Sequence, residues 1–174
     1  MPSAISEPPV NPVVDTNVLF DFLLWRFCAD TKTPTPSCLS DYFSAEITRN
    51  ALQWYLDKAK PIQTLPHVIA EINGLAKGKT GWRKDRARLS EFWRFSQKEL
   101  ARLMLDEHLV QVVEMNGDDL GAFGPTDCAI MELAKRTGRA VVTEDRELRE
   151  RLTQDQIEAL SCNEILALWQ GWNA

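Results

Sequence analysis

The sequence predicts an α/β fold in which helices cover both faces of a mainly parallel sheet. Short β-branched or apolar runs alternate with longer segments whose apolar residues recur at helical spacing. Breaks rich in proline and glycine separate these segments, so each strand is followed by a helical crossover. Parallel strands need such crossovers, and we therefore expect a doubly wound sheet. With 174 residues, the chain is long enough for one domain with a substantial core.

The elements follow from that pattern in chain order. Residues 1–12, rich in proline and small polar side chains, are expected to form a flexible tail ahead of a single domain at 13–174. The strands are placed at Val13–Val14, 62–65, 109–115, 139–143 and 157–160. The helices are placed at 18–27, 41–60, 66–77, 84–107, 126–137, 146–152 and 163–172.

Composition excludes several classes of function. The apolar runs are too short to span a bilayer, so no membrane association is expected. The N-terminal segment lacks the basic and apolar regions of a secretory signal, which favours a cytoplasmic location. Four cysteines and two histidines are scattered without paired spacing, and this argues against a zinc site.

The charge of the chain is uneven. A net charge of −5 argues against a generic basic protein that binds nucleic acid. Between residues 79 and 102, however, eight basic residues face three acidic ones, a local charge of +5. Arg94, Lys98 and Arg102 recur at i, i+4 spacing on one stripe of a predicted helix. That stripe is either a solvated face or, with Arg83, a track for an RNA backbone.

Four acidic residues occupy positions where ligands bind in such folds. Asp15 and Asp145 follow apolar strands, and the carboxyl ends of parallel strands form ligand sites. Asp127 lies in the first turn of a predicted helix, where a carboxylate is also favoured as a cap. Glu71 is expected to face inward, which costs free energy unless it has a partner. Asp21, further into its helix, is expected to be an ordinary surface acid.

Convergence of these acids would create a site for a hard cation. Neighbouring carboxylates repel each other and raise each other's pKa. Mg²⁺ or Mn²⁺ prefers carboxylate oxygens and would relieve that repulsion. A site of this kind suits phosphodiester hydrolysis. The polar neighbours suited to orient the acids or a water are Asn17, Thr16, Thr126 and Thr143.

The segments "VVDTNVLFD", "PHVIAEINGL", "GPTDCAIMELA" and "VVTEDREL" together resemble the PIN-domain nucleases, in particular the VapC-type toxins. The resemblance covers residues 13–148. It implies a three-layer α/β/α fold with a five-stranded parallel sheet and Mg²⁺- or Mn²⁺-dependent endoribonuclease activity. Cleavage would leave 3′-hydroxyl and 5′-phosphate ends. The four metal-binding catalytic acids would be Asp15, Glu71, Asp127 and Asp145, with Glu144 as an alternative fourth acid and Asn17 and Thr143 in support.

Other functions stay open at this point. The chain is longer than a minimal toxin, so it is either a toxin with an antitoxin partner or another RNA-processing nuclease. The alternatives are a catalytically silent PIN-like module that binds RNA or protein, and a structure-specific DNA nuclease. A phosphatase with an aspartyl nucleophile is disfavoured, because Asn17 stands where a second aspartate is needed. The C-terminal Trp169 and Trp172 either pack on the domain or form a dimer or antitoxin surface.

Overall fold

The computed structural model of the protein describes residues 8–173, which form an α/β fold with helices on both sides of a parallel sheet. The fold class predicted from the sequence is therefore confirmed. The strands are β1 (Val13–Val14), β2 (Gln63–Thr64), β3 (Asp106–Glu107), β4 (Val141–Val142) and β5 (Ala159–Leu160). They pair in the order β3-β2-β1-β4-β5, and every pair is parallel.

Helices account for most of the chain between these strands. The α-helices of the described residues are α1 (Thr16–Asp30), α2 (Glu46–Ala59), α3 (Pro66–Gly78), α4 (Arg86–Arg102), α5 (Gly117–Phe123), α6 (Pro125–Thr137), α7 (Arg146–Gln154) and α8 (Cys162–Trp172). Short 3-10 helices occur at Asp41–Phe43, Trp82–Lys84 and Val112–Glu114. No helix within residues 8–173 is long and apolar enough to cross a membrane.

Helix α1 forms the centre of the core. Its apolar residues occupy every side of the helix rather than one stripe, and Val18, Phe20 and Phe27 are all at most 1% exposed. The rings of Phe20 and Phe27 contact the ring of Phe92 in α4 edge-on, with centroids 6.4 and 5.7 Å apart. Full burial of one such side chain contributes roughly 1.5–3 kcal/mol to folding. The N-terminus of α1 is therefore held in place by the core beneath it.

The order of the strands reverses between β1 and β4. From β1 the chain builds β2 and β3 on one side, and it then crosses over to build β4 and β5 on the other. Val14 of β1 lies beside Val142 of β4, so the next residues, Asp15 and Thr143, leave the same edge of the sheet together. A reversal of this kind opens a crevice at the carboxyl ends of the strands, where open α/β sheets bind ligands.

The predicted strand at 109–115 is wrong. The third strand is instead Asp106–Glu107, and the peptide N–H groups of Asp106 and His108 donate to the carbonyls of Ile62 and Thr64 at 2.9 Å each. This short strand carries no apolar pattern, because it lies at the edge of the sheet with both side chains exposed. The apolar run that follows it forms an irregular segment and a 3-10 helix.

The prediction also differs from the structure at the end of α4, in the segment before α6 and in the N-terminal tail. Helix α4 ends at Arg102 rather than at residue 107, since Met104 takes a left-handed φ of 54° that stops the helix. The glycine-rich segment before α6 contains helix α5, which begins at the cap formed by Asn116. Residues 1–7 of the predicted tail lie outside the described residues, whereas the Asn11 amide donates to Ala59 at 2.7 Å.

Candidate functional site

Asp15 links β1 to α1 at the reversal point of the sheet and is only 4% exposed. Its carboxylate accepts a hydrogen bond from the Thr16 amide at 2.5 Å and another from the Thr143 hydroxyl at 2.8 Å. Burial raises the pKa of Asp15 to about 6; the two hydrogen bonds oppose this shift, while the charges of Glu71 and Asp145 add to it. Asp15 is thus both the cap of α1 and a member of a group of acids.

Asp127 stands in the first turn of α6, where the preceding Pro125 starts the helix. Its half-buried carboxylate accepts no hydrogen bond from residues 8–173 and forms no ion pair with any described lysine or arginine. Burial, followed by the charges of Asp15, Asp145 and Glu71, raises the pKa of Asp127 to about 7. This carboxyl group therefore ionises with difficulty unless positive charge is brought to it.

Glu71 does not face inward as expected. It is exposed on α3, although its neighbours on the helix, Val68 and Ile72, are completely buried. The helical spacing correctly placed Glu71 at the border of the buried face, but its long side chain turns outward. Its carboxylate accepts a 2.8 Å hydrogen bond from the Thr16 hydroxyl, and its charge raises the pKa values of Asp15 and Asp127.

Asp145 and its neighbour Glu144 point to different parts of the molecule. The Glu144 carboxylate accepts a hydrogen bond from the Cys162 amide at the start of α8. The exposed Asp145 carboxylate accepts one from the Leu148 amide at 3.0 Å and so caps α7, while its charge acts on Asp15 and Asp127. Of the two candidates for the fourth acid, Asp145 is the one whose charge acts on Asp15 and Asp127.

Two of the predicted supporting residues hold the acids by hydrogen bonds. The Thr143 hydroxyl donates to Asp15 and accepts from the Asp145 amide at 3.0 Å, which ties β1, β4 and α7 together. Thr16 contacts both Asp15 and Glu71. Asn17 is exposed and Thr126 is half-buried, and neither side chain forms a hydrogen bond within the part of the chain that the structure describes.

The donor atoms match a hard cation in chemistry, but the side chains are not arranged around one point. Within residues 8–173, no three histidine, cysteine, aspartate or glutamate side chains are close enough to hold one metal ion. Asp15, Glu71 and Asp145 are each turned toward a hydrogen-bond donor of their own. Four carboxylates without a neighbouring cation are nevertheless the ligand type that Mg²⁺ and Mn²⁺ prefer. Coordination by all four would require side-chain rotation, for which the exposed Glu71 and Asp145 have room.

Arg102 is the member of the basic stripe of α4 that pairs with nearby acids. Arg102 is half-buried and forms ion pairs with Asp57 and with Glu99, the latter at 3.1 Å. Arg88 pairs with Glu91 at 3.2 Å. Glu91 and Glu99 are already among the three acids counted between residues 79 and 102, so Asp57, from a distant part of the chain, is the one acid that these pairs add.

Arg83, Arg94 and Lys98 are exposed and form no ion pair with any described acid. Arg94 and Lys98 line a cleft of about 470 Å³ together with three acids, which are Asp30 at the C-terminal end of α1, Glu91 and Glu99. The fifteen residues of α1 separate that end from the acids by about 22 Å. Arg94 and Lys98 therefore cannot contact the same phosphate as the acids, although they can contact a neighbouring part of a long polyanion.

Lys79 was not singled out by the sequence. Its ammonium lies 5.9 Å from the centre of the Phe20 ring, one turn of α1 beyond Thr16. In the sequence it was only the first of eight basic residues, and no spacing signal distinguished it. The contact places a cation much nearer to the acids than Arg94 or Lys98.

Asp21 is completely buried, so its assignment as a surface acid is wrong. One carboxylate oxygen accepts a hydrogen bond from the Ser40 amide at 3.3 Å. The other oxygen has no partner among the described residues, and the buried Tyr42 hydroxyl has none either. Asp21 belongs to the core of α1 and not to the group of acids at its N-terminus.

No protein-family model matches the chain, and no curated protein or solved structure matches it either. The resemblance to PIN-domain nucleases is therefore an expectation from the four sequence segments alone.

Proposed function

We propose that the protein is a Mg²⁺- or Mn²⁺-dependent endoribonuclease of the PIN type. The observation that carries the proposal is that Asp15, Glu71, Asp127 and Asp145 lie near enough to the reversal point of the sheet for their charges to interact. These acids come from four separate segments, and their charges add to the effect of burial, which raises the pKa values of Asp15 and Asp127. Among the described residues, no lysine or arginine pairs with any of the four. Such a group costs stability unless it binds a cation.

The four acids have different degrees of freedom, which suggests different roles. Asp15 is fixed by two hydrogen bonds and would be the anchoring ligand. Asp127, without a hydrogen bond to the described residues, would be the second ligand from the buried side. Glu71 and Asp145 would complete the site from the solvent side. A bound Mg²⁺ or Mn²⁺ would lower the pKa of a coordinated water and offset charge on the phosphate.

Supporting residues would orient these groups for attack on the phosphodiester. The hydroxyls of Thr16 and Thr143 hold Glu71 and Asp15 at set positions. Asn17, exposed at the first turn of α1, is free to bind a water or a phosphate oxygen. The RNA strand would then pass Lys79 and continue toward Arg94, at the far end of α1.

The resemblance to VapC-type proteins also supports a role as the toxin of a toxin–antitoxin pair that acts on cytoplasmic RNA. Trp172, 45% exposed at the end of α8, is a candidate contact for an antitoxin or for a second copy of the chain.

The decisive experiment incubates the purified protein with a mixed RNA pool in Mn²⁺, in Mg²⁺ or in EDTA, and maps the cut ends. We expect metal-dependent cuts with 3′-hydroxyl and 5′-phosphate ends. Asp15→Asn and Asp127→Asn should each lower the rate by about a hundredfold or more. Asp118→Asn, the same change at an exposed first-turn position of α5, is the matched control and should cleave normally.

The outcomes separate the competing functions. RNA binding that survives EDTA and both substitutions, without cleavage, would identify a silent binding module. Cleavage of branched DNA with intact RNA would instead favour a structure-specific DNA nuclease.

A further inference from the structure

Among residues 8–173, strand β3 lies at the end of the sheet and is paired on one side only. The amides of Asp106 and His108 donate to β2 and its flank. Because peptide groups alternate along a strand, the amide and carbonyl of Glu107 point to the opposite side. Neither the Glu107 nor the Leu109 amide has an acceptor within residues 8–173. An unpaired edge of this kind is a template for a further strand.

Two exposed apolar side chains flank this strand. Met104 and Leu109 are 59% and 65% exposed, whereas Val112 and Val113 belong to the following 3-10 helix, whose Glu114 pairs with Arg136 of α6. Sheet edges are commonly protected by lysine or proline, but residues 104–113 contain neither. A groove of about 480 Å³ opens beside the strand; its lining is mainly apolar and includes Ile69, Trp93, Leu100 and Leu105, with Glu107 as its acid.

The charge of the edge selects the partner. Asp106 and Glu107 are both exposed. Antiparallel pairing of two copies about Glu107 would bring like charges together, which destabilises a pair of strands. The two side chains point to opposite faces of the strand, with Glu107 on the face of the groove and Asp106 on the other face, 3.0 Å from His108. An added strand with lysine or arginine on the Asp106 face would instead be attracted to it.

We propose that the outer edge of β3 binds an extended segment of another protein in which basic and apolar residues alternate. The backbone of that segment pairs with Glu107 as an added strand. Its apolar side chains, all on one face, enter the groove beside Leu100 and Leu105. Its basic side chains lie on the opposite face near Asp106. The proposal does not depend on the nuclease activity.

The test uses a fluorescent seven-residue peptide that alternates valine with lysine and has blocked ends. We expect saturable binding to the full chain, measured by fluorescence anisotropy. A peptide with glutamate in place of lysine should bind at least tenfold more weakly. Asp106→Lys, on the face of the basic side chains, should reduce or reverse this preference, whereas Glu150→Lys, an exposed change on α7, should leave it unchanged.

Glu107→Pro tests the backbone pairing separately from charge. Proline removes the outward N–H but spares the bonds that Asp106 and His108 make to the sheet, and edge strands tolerate it there. With folding verified by circular dichroism, peptide binding should fall at least tenfold while RNA cleavage stays at the wild-type rate. Undiminished binding by Glu107→Pro, or no saturable binding by wild type, overturns the proposal. A wild-type dimer that Glu107→Pro dissociates also overturns it, because the occupant is then a second copy.

Discussion

Two acid-rich regions of this protein differ in whether their carboxylates are paired with basic side chains. Between α5 and α7, Arg151 bonds Asp119 at 2.9 and 3.1 Å and Asp155 at 2.6 Å. Lys135 adds a 2.7 Å ion pair with Asp155, and its hydrogen bond lowers the pKa of that acid. At the carboxyl edge of β1 and β4 the acids have no such cation among residues 8–173, and burial, with the neighbouring carboxylates, raises the pKa of Asp127 to about 7. Paired acids stabilise the fold, whereas unpaired ones suggest a ligand that supplies the charge.

Metal addition should distinguish the two regions most strongly. Mn²⁺ at one hundred times its dissociation constant would stabilise the wild-type protein by about 2.7 kcal/mol. We expect a rise in melting temperature that EDTA reverses. Asp127→Asn should lose most of the rise, while Asp155→Asn, in the paired region, should keep it. An equal rise in both variants would place the ion elsewhere.

Removal of a cation from the paired region should have the next largest effect. Arg151→Ala leaves the largely buried Asp119 carboxylate without its partner, which should cost about 2 kcal/mol. Urea denaturation at neutral pH measures this loss. Arg146→Ala removes a fully exposed pair with Glu150 and is the matched control, for which we expect no measurable change.

The pH dependence of stability should differ in sign between Asp127 and Asp155. The folded pKa of Asp127, about 7, lies above its ordinary value of 3.8. The folded state is therefore penalised progressively as the pH rises from about 4 to about 7. Without metal at about pH 8, Asp127→Asn should be more stable than wild type by roughly 1 kcal/mol, after allowance for solvent screening. The difference in the free energy of unfolding between the variant and wild type should vanish near pH 3.5, which is within about half a pH unit of the ordinary pKa of aspartate.

Asp155→Asn supplies the opposite sign in the same denaturation series. Its pKa is lowered, so Asp155 stabilises the fold above 3.8 and that stability is lost as the pH falls through its folded pKa. The variant should be less stable than wild type at neutral pH. A loss of stability in Asp127→Asn at about pH 8 would instead make Asp127 an ordinary first-turn acid.

Charge reversal in the α4 cleft should have the smallest effect. The double variant Arg94→Glu with Lys98→Glu should bind RNA severalfold more weakly. The slope of the logarithm of the binding constant against the logarithm of salt concentration should fall in magnitude by about one for each lost phosphate contact. Lys58→Glu with Lys60→Glu changes the net charge equally on α2 and serves as the control. Arg102 is left intact because its ion pairs with Asp57 and Glu99 support the fold. Equal binding by both double variants would make the cleft a solvated surface.

The sequence was sufficient for the fold class and for four of the five strands, because their apolar runs are buried. It could not supply β3, whose Asp106 and Glu107 carry no apolar signal at the edge of the sheet. The sequence also did not predict the order of the strands in the sheet, since that order depends on which way each crossover turns. The burial of Asp21 was available in principle: the surrounding positions of α1 are apolar on every side and leave no solvent-facing stripe.

The sequence indicated the four candidate acids by their positions after strands and within helices. It did not predict the orientations of their side chains. Glu144 and Asp145 are adjacent, so only the register of β4 decides which of them turns toward Asp15. Glu71 lay at the border of a helical stripe, where a long side chain can turn either way. The metal and the reaction stay predictions from the residue types.

The burial of α1 has a consequence for motion at its N-terminus. Amide hydrogen exchange at Leu19 and Leu23 should require unfolding of the whole domain, because both residues are completely buried and the Leu19 amide donates to the Asp15 carbonyl at 3.0 Å. Asp15 and Thr16 are therefore held in fixed positions. Adaptation to a ligand falls to the exposed Glu71 and Asp145, whose side chains can change rotamer in nanoseconds without disturbing the core. The candidate site thus combines a rigid part, Asp15 and Thr16, with an adaptable part, Glu71 and Asp145.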